Sequence, residues 1–290
     1  MKIFSAAFNK HDHNTYDGVW HNQLERHTRL KHNIPHHKDS IKMNRNDNSA
    51  GKQFYKDYWN PQSHEMFAFT TTVGGFNHID SLQEQKNFMD WEPDCLWDYK
   101  KEGNLYYIDH HQSHAAYAFL SSGFQESDIL AIDGRGYKYN TVFFNNNGKL
   151  NNLNLYVGTA WDWFSKKIGF GVYGESKVMG LAAYGKYNIE LHMLLDDFWH
   201  TNELEPYEKF EDIIKNVSHQ DIDYTLQYAT EEIIFETIIK YKTSDNLCIT
   251  GGVAYNGYVN EKLTDVYKNV FVPPAPGDEG QSLGTYMHCD

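Results

Sequence analysis

Three short apolar runs in this sequence each give way to a glycine-containing turn, at residues 133–136, 250–253 and 277–280. Asp128-Ile-Leu-Ala-Ile-Asp133 runs into Gly134-Arg135-Gly136, Leu247-Cys-Ile-Thr250 into Gly251-Gly252, and Val270-Phe-Val272 into PPAPGDEG. A further glycine-dense segment, from Gly169 to Gly185, lies between the first two turns. Glycine lets a backbone approach a ligand closely. Open α/β folds bind ligands at the carboxyl ends of strands, where backbone amides and helix N-termini hold phosphate. The chain is therefore expected to be α/β and to hold a nucleotide in a cleft.

The pattern between the turns agrees. Ile3–Phe8 reads as a buried strand running into a polar turn, HDHNTYDG. Asn104–Asp109 is rich in β-formers, and HHQSHAAYAFLSSGF follows with Ala115, Ala116 and Phe119 at helical spacing and Gly123 as a stop. TVFF-NNNG-KL reads as a hairpin, and Ile222, Leu226, Ala229, Ile233 and Ile238 trace the buried face of a long helix. A length of 290 residues favours two subdomains or one large α/β unit. Residues 33–63, rich in Asn, His, Lys and Asp, read as a surface insertion. The seven histidines between His11 and His37 lack a repeated ligand spacing, which favours a solvated segment over a metal tract.

Composition narrows the partners. With 26 Lys+Arg against 39 Asp+Glu, the net charge of −13 opposes the counterion release that drives non-specific nucleic-acid binding. Cys95, Cys248 and Cys289 lie far apart with no CxxC pair, so neither a disulfide framework nor a cysteine zinc site is expected. No stretch approaches the length of a membrane helix, and IFSAAF is too short for a signal sequence. The expectation is a soluble protein of the reducing cytoplasm.

His110 and His114 are four apart, which on a helix places them on one face, about 6 Å between Cα atoms. They read either as two imidazoles on one metal or as a capping and a core histidine. Asp278 reads either as a helix N-cap or as the carboxylate that completes a two-His, one-carboxylate ligand set, which favours Fe(II) or a similar divalent ion. Asp133, at a strand end beside a glycine turn, reads as a catalytic carboxylate near phosphate or as an Asx-turn. Arg135 reads as a phosphate clamp or an exposed side chain. Glu175 and Lys177 read as holders of ribose and phosphate or as a surface pair.

DHHQSHAAYAF (109–119), DGRG (133–136), GESKVMGLAAYG (174–185), CITGGVAYNGYVN (248–260) and PPAPGDEGQSLG (273–284) together resemble, in order, the O-carbamoyltransferase family of the nodulation and antibiotic-tailoring type. FNKHD and LERHTRLKH near the N-terminus look like the family's start. The resemblance covers roughly residues 1–32 and 104–290.

The resemblance implies an actin-like ATPase fold of two RNase-H-like subdomains, divided near residue 125, with the last helix returning to the first. It implies that a carbamoyl-adenylate, made from carbamoyl phosphate and ATP, sits in the interdomain cleft and passes its carbamoyl group to a substrate hydroxyl. His110, His114 and Asp278 match the family's metal ligands. His11 matches the N-terminal histidine near the carbamoyl group and, with Asp133, forms the expected catalytic pair. Gly134, Arg135, Glu175, Lys177, Gly251, Gly252 and Asn256 fall where the family surrounds its nucleotide. A divalent metal, Fe(II) foremost, and Mg alongside ATP are the implied cofactors. Family members continue past the DEG segment into a YrdC-like adenylating domain, whereas this sequence stops at Asp290, so the expectation is that a separate YrdC-like partner supplies the intermediate, or that the sequence is a fragment, or that catalysis has been lost. The alternatives are carbamoyl transfer to tRNA or a hydroxylated DNA base, and a non-catalytic nucleotide-binding protein.

Overall fold

The computed structural model describes residues 2–8, 13–23, 64–71, 91–134, 136, 139–200 and 208–290. His11, Arg135 and the insertion at 33–63 lie outside the described residues.

Among the described residues two mixed sheets form the frame. The first comprises β1 (Ile3–Phe8), β2 (His13–Tyr16), β3 (His21–Gln23), β4 (Met66–Thr71), β5 (Lys100–Glu102) and β6 (Leu105–Tyr107), in the order β3-β2-β1-β4-β6-β5. Its centre is parallel, with Ile3 opposite Met66 and Phe67 opposite Leu105. The second comprises β7 (Asp128–Ile132), β8 (Thr141–Phe144), β9 (Leu150–Asn152), β10 (Asn246–Thr250) and β11 (Asn269–Phe271), in the order β11-β10-β7-β8-β9. There β10 runs parallel to β7 and β11, while β8 and β9 form the antiparallel hairpin that the sequence predicts.

One expectation is corrected. The polar stretch after β1 is not all turn, because His13–Tyr16 is a strand antiparallel to β1, with Ser5 opposite Tyr16. Asn14 and Thr15 are buried in it. A buried asparagine is tolerated because the Asn14 amide is satisfied from afar: Nδ2 donates to the Asp278 carbonyl (2.9 Å) and Oδ1 accepts from the Ser282 amide (2.8 Å). The turn itself comes next, closed by the Asp17 carboxylate accepting from the amides of Val19 and Trp20.

Helix α1 (His110–Ser122) packs against β7 and β10 of the second sheet and against β4 of the first. Asp109 caps it in a reciprocal box with Gln112, and Gly123 ends it at φ 75°. Behind the second sheet lie α2 (Val157–Lys167), α3 (Glu175–Ala182), α4 (Ile189–His200), α5 (Glu208–Asn216), α6 (His219–Tyr241) and α7 (Gly257–Leu263). Trp161, Phe164, Phe198, Trp199, Phe210 and the predicted stripe of α6 fill the larger core. Among the described residues no helix is long and apolar enough to cross a membrane.

The final helix, α8 (Gln281–Cys289), lies on β1, β2 and β4 and packs closely on α1. A side chain on Gly284 would place its Cβ 1.9 Å from the Ser113 carbonyl oxygen, so this crossing exists only because residue 284 lacks one. Ser113 Oγ donates to the Gln281 carbonyl at 2.7 Å across the same contact.

Two buried carboxylates, Asp128 on β7 and Asp223 on α6, are held in opposite ways. Asp128 accepts hydrogen bonds from the amides of Thr243 and Ser244 and from the Tyr267 hydroxyl. Asp223, buried on α6 beside Ile222, has no partner for either oxygen among the described residues, and burial pushes its carboxyl up to about 8.

Two outcomes follow from this packing. Gly284→Ala is expected to cost about 1–3 kcal/mol of unfolding free energy, because two backbones must separate; a change within about 0.5 kcal/mol in urea titrations contradicts the contact. For Asp223, the unfolded chain ionises near 3.8 while the folded chain holds its proton to about 8. Wild-type stability is therefore lost as pH climbs between those values and levels off above them. Asp223→Asn is expected to remove that slope and to be more stable at pH 8 by a few kcal/mol, on the order of what several pKa units represent. Parallel pH profiles of melting temperature for the two proteins contradict it.

Candidate metal centre

The helical spacing of α1 puts His110 and His114 on the face turned toward the ends of β7 and of the loop before α8. Their rings lie 4.8 Å apart, nearly perpendicular. The chain leaving β7 delivers Asp133, and the turn at Asp278–Gly280 delivers Asp278. One donor atom from each of these four side chains lies within 4.8 Å of the others. Asp133 Oδ2 is 2.9 Å from His110 Nε2 and 3.6 Å from His114 Nε2, while Asp278 Oδ1 is 3.5 Å and 3.3 Å from the same atoms.

Each carboxylate is held by backbone chemistry. Asp133 Oδ1 accepts from the amides of Gly134 (2.8 Å) and Gly252 (3.1 Å), which leaves Oδ2 for the cluster. The two glycine turns expected to cradle phosphate thus converge on Asp133 itself. Gly251 makes this possible at φ 90°, where a Cβ would sit 2.2 Å from the Ile132 carbonyl oxygen. Asp278 opens a 3-10 turn, and its carbonyl takes the hydrogen bond from Asn14.

The electrostatics fit a cation. Both imidazoles are buried and both carboxylates nearly so, and two buried anions need compensation. Burial works against a charge on His114, but hydrogen bonds that its imidazole donates to Asp133 and Asp278 outweigh it and raise the imidazole to about 9. For Asp133, burial works against ionisation and is outweighed by hydrogen bonds to His110 and His114, which hold it well below the usual carboxylate range. A proton on His114 is the local substitute for a metal. Two imidazoles and two carboxylates form a borderline donor set suited to Fe, Mn, Co or Zn.

Neighbouring His111 is held neutral, at about 3, first by burial and then by the charges of His110 and His114. It packs where Gly136 passes, since a Cβ there would lie 2.4 Å from its ring.

The remaining expected residues lie elsewhere or outside the described residues. Glu175 and Lys177 open α3, with the Lys177 ammonium 5.9 Å from the Phe170 ring centre. Asn256 caps α7 through Val259 and exchanges two hydrogen bonds with the buried Gln227 amide, so both ends of its side chain have partners. The sequence pattern places Asp133 with the phosphate and does not single out Gln281, which the structure puts against the four-residue cluster. The available signal was its position three residues after Asp278, facing the same way at the start of a helix.

Residues 35–287 match the model of the family described as carbamoyltransferase N-terminus. Nodulation protein NolO of Bradyrhizobium diazoefficiens is 31% identical over a 216-residue alignment that covers 62% of this chain and 38% of NolO. The chain thus spans well under half the length of that relative. Among solved structures, the activator of the 2-hydroxyisocaproyl-CoA dehydratase from Clostridium difficile with bound ADPNP superposes with a TM-score of 0.58 at 13% identity, covering 99% of this chain and 94% of that one. Component A of the (R)-2-hydroxyglutaryl-CoA dehydratase of Acidaminococcus fermentans gives a TM-score of 0.58 at 10% identity, covering 99% and 97%. These likenesses show the fold, the α/β architecture of actin-like ATPases.

Divalent cations are expected to raise the melting temperature, by about 2.7 kcal/mol of stability at a hundredfold excess over Kd. Because His114 holds a proton to about 9, cation uptake at neutral pH is expected to release protons and to strengthen as pH rises toward that value. Calorimetry in buffers of different ionisation enthalpy measures this. An equal response from His114→Ala contradicts the site.

Proposed function

Because this chain belongs to the carbamoyltransferase N-terminus family, we propose that it carries the transfer site of a carbamoyltransferase, which moves a carbamoyl group from carbamoyl-adenylate to a substrate hydroxyl. The observation that carries the reading is the convergence of His110, His114, Asp133 and Asp278 on one point. These four residues hold a divalent ion, Fe(II) foremost. When bound, such an ion acts as a Lewis acid toward a carbamoyl or phosphate oxygen.

The chain's own residues do the rest. His11 accepts the proton of the attacking hydroxyl. The hydroxyl oxygen bonds to the carbamoyl carbon, the bond from that carbon to the adenylate phosphate oxygen breaks, and AMP leaves. Arg135 and Lys177 balance phosphate charge, and Glu175 takes the ribose hydroxyls. Gly134, Gly251, Gly252 and Asn256 shape the wall between the two strand ends and α7, with the two glycine amides acting through Asp133. The carbamoyl-adenylate comes from carbamoyl phosphate and ATP, with Mg alongside the nucleotide, on a YrdC-like partner. The net charge of −13 supports a small hydroxylated acceptor over tRNA or DNA.

ATP-dependent transfer of label from carbamoyl phosphate, measured with a YrdC-like adenylating protein and a panel of sugars, antibiotics and nucleic acids, tests the reading. Transfer to a hydroxyl acceptor is expected, falling at least about a hundredfold in His110→Ala with loss of bound metal. For His11→Gln, a loss of about 10²–10⁴ in turnover of presented carbamoyl-adenylate is expected. Full transfer by His110→Ala contradicts the metal role, and unchanged turnover by His11→Gln removes His11 from proton transfer.

A further inference from the structure

Gln281, the first residue of α8, is completely buried and lies against the four-residue ring. Its side-chain nitrogen is 2.8 Å from His114 Nε2, 2.8 Å from His110 Nδ1, 3.0 Å from His110 Nε2 and 3.1 Å from Asp278 Oδ1. An amide NH2 has two protons to give, and the two nitrogens of one imidazole cannot both accept from it in the ring plane. The other end of the same side chain is in the opposite position. Gln281 Oε1 is buried and has no hydrogen-bond partner among the described residues. An orphaned buried acceptor loses its hydration with nothing in exchange. The crowded donor and the idle acceptor are exchanged by a half-turn about the last side-chain bond, which leaves the shape of the amide unchanged.

On the reading that the ring holds a divalent cation, we propose that Gln281 is its fifth, neutral ligand, turning Oε1 to the ion. The charge arithmetic supports an amide at this place. Asp133 and Asp278 already balance a dication, so a third carboxylate would overcompensate in a buried site, whereas an amide adds a hard oxygen without charge. With two imidazoles, two carboxylates and one amide as its holders, a six-coordinate ion would keep a single position open to exchange. Gln281 also belongs to the helix whose crossing with α1 is fixed at Gly284 and Ser113, so its backbone is already anchored beside both histidines.

Mn(II) is the probe. Its affinity is read by calorimetry and the number of water molecules on the bound ion by water-proton relaxation, with melting curves in EDTA to establish that each variant folds. Gln281→Leu is expected to bind Mn(II) about 10- to 100-fold more weakly, at least what losing an outer-shell partner costs, and to gain about one ion-bound water. Gln281→Asn, too short to reach, is expected to do the same and carries the test if the leucine variant does not fold. Gln281→Glu, which keeps an oxygen donor at the same reach, is expected to retain the wild-type water count. Weaker binding with an unchanged water count in both Gln281→Leu and Gln281→Asn overturns the proposal, because Gln281 then only props the ring. Tighter binding by Gln281→Leu also overturns it, because the amide then merely competes for the space. Wild-type protein that binds no Mn(II), or His114→Ala that binds it as tightly, defeats the metal centre itself and is told apart from either result.

Discussion

The Asp133 carboxylate divides its two oxygens between the backbone and the site, and the rest of the arrangement depends on that division. One oxygen ties the end of β7 to the turn after β10 through the amides of Gly134 and Gly252. The other faces His110 and His114. A side chain fixed at one oxygen by two amides cannot swing away to solvent, so the buried anion stays where only a proton or a cation compensates it. The same contact makes the second sheet's geometry a condition of the site.

The first sheet contributes through β2 and through the helix α8 that lies on it. Asn14 on β2 holds the Asp278 carbonyl and the Ser282 amide, which sets the loop that carries the second carboxylate. Close approach then depends on missing side chains. Gly284 lets α8 meet α1, Gly251 lets the turn after β10 pass under Ile132, and Gly158 leaves room for Gly134. The four donor groups come from three chain segments, and each segment is brought in by a backbone contact that a Cβ would block or by an amide that a carboxylate caps.

Much of this was legible in the sequence, for identifiable reasons. The His110–His114 pair follows from helical period alone, and the glycine turns at 133–136 and 250–253 announced strand ends. Asp278 needed the resemblance, since no local rule connects it to a histidine pair 164 residues earlier. Strand β2 was not legible, because its hydrophobic alternation is absent and its burial depends on contacts to α8 that only the tertiary fold supplies. Gln281 was missed for a related reason: an uncharged amide at a helix start has no sequence signature, and only the crowding at its nitrogen and the idleness of its oxygen single it out.

We propose that two imidazoles and two carboxylates share one ion. X-ray absorption on the metal-loaded protein measures this directly, because histidine rings produce a multiple-scattering pattern that carboxylates and water do not. One bound ion per chain is expected, with two imidazoles and oxygen donors in its nearest shell. An ion surrounded by oxygen alone, or a chain that takes up no ion in stoichiometric amount, contradicts it.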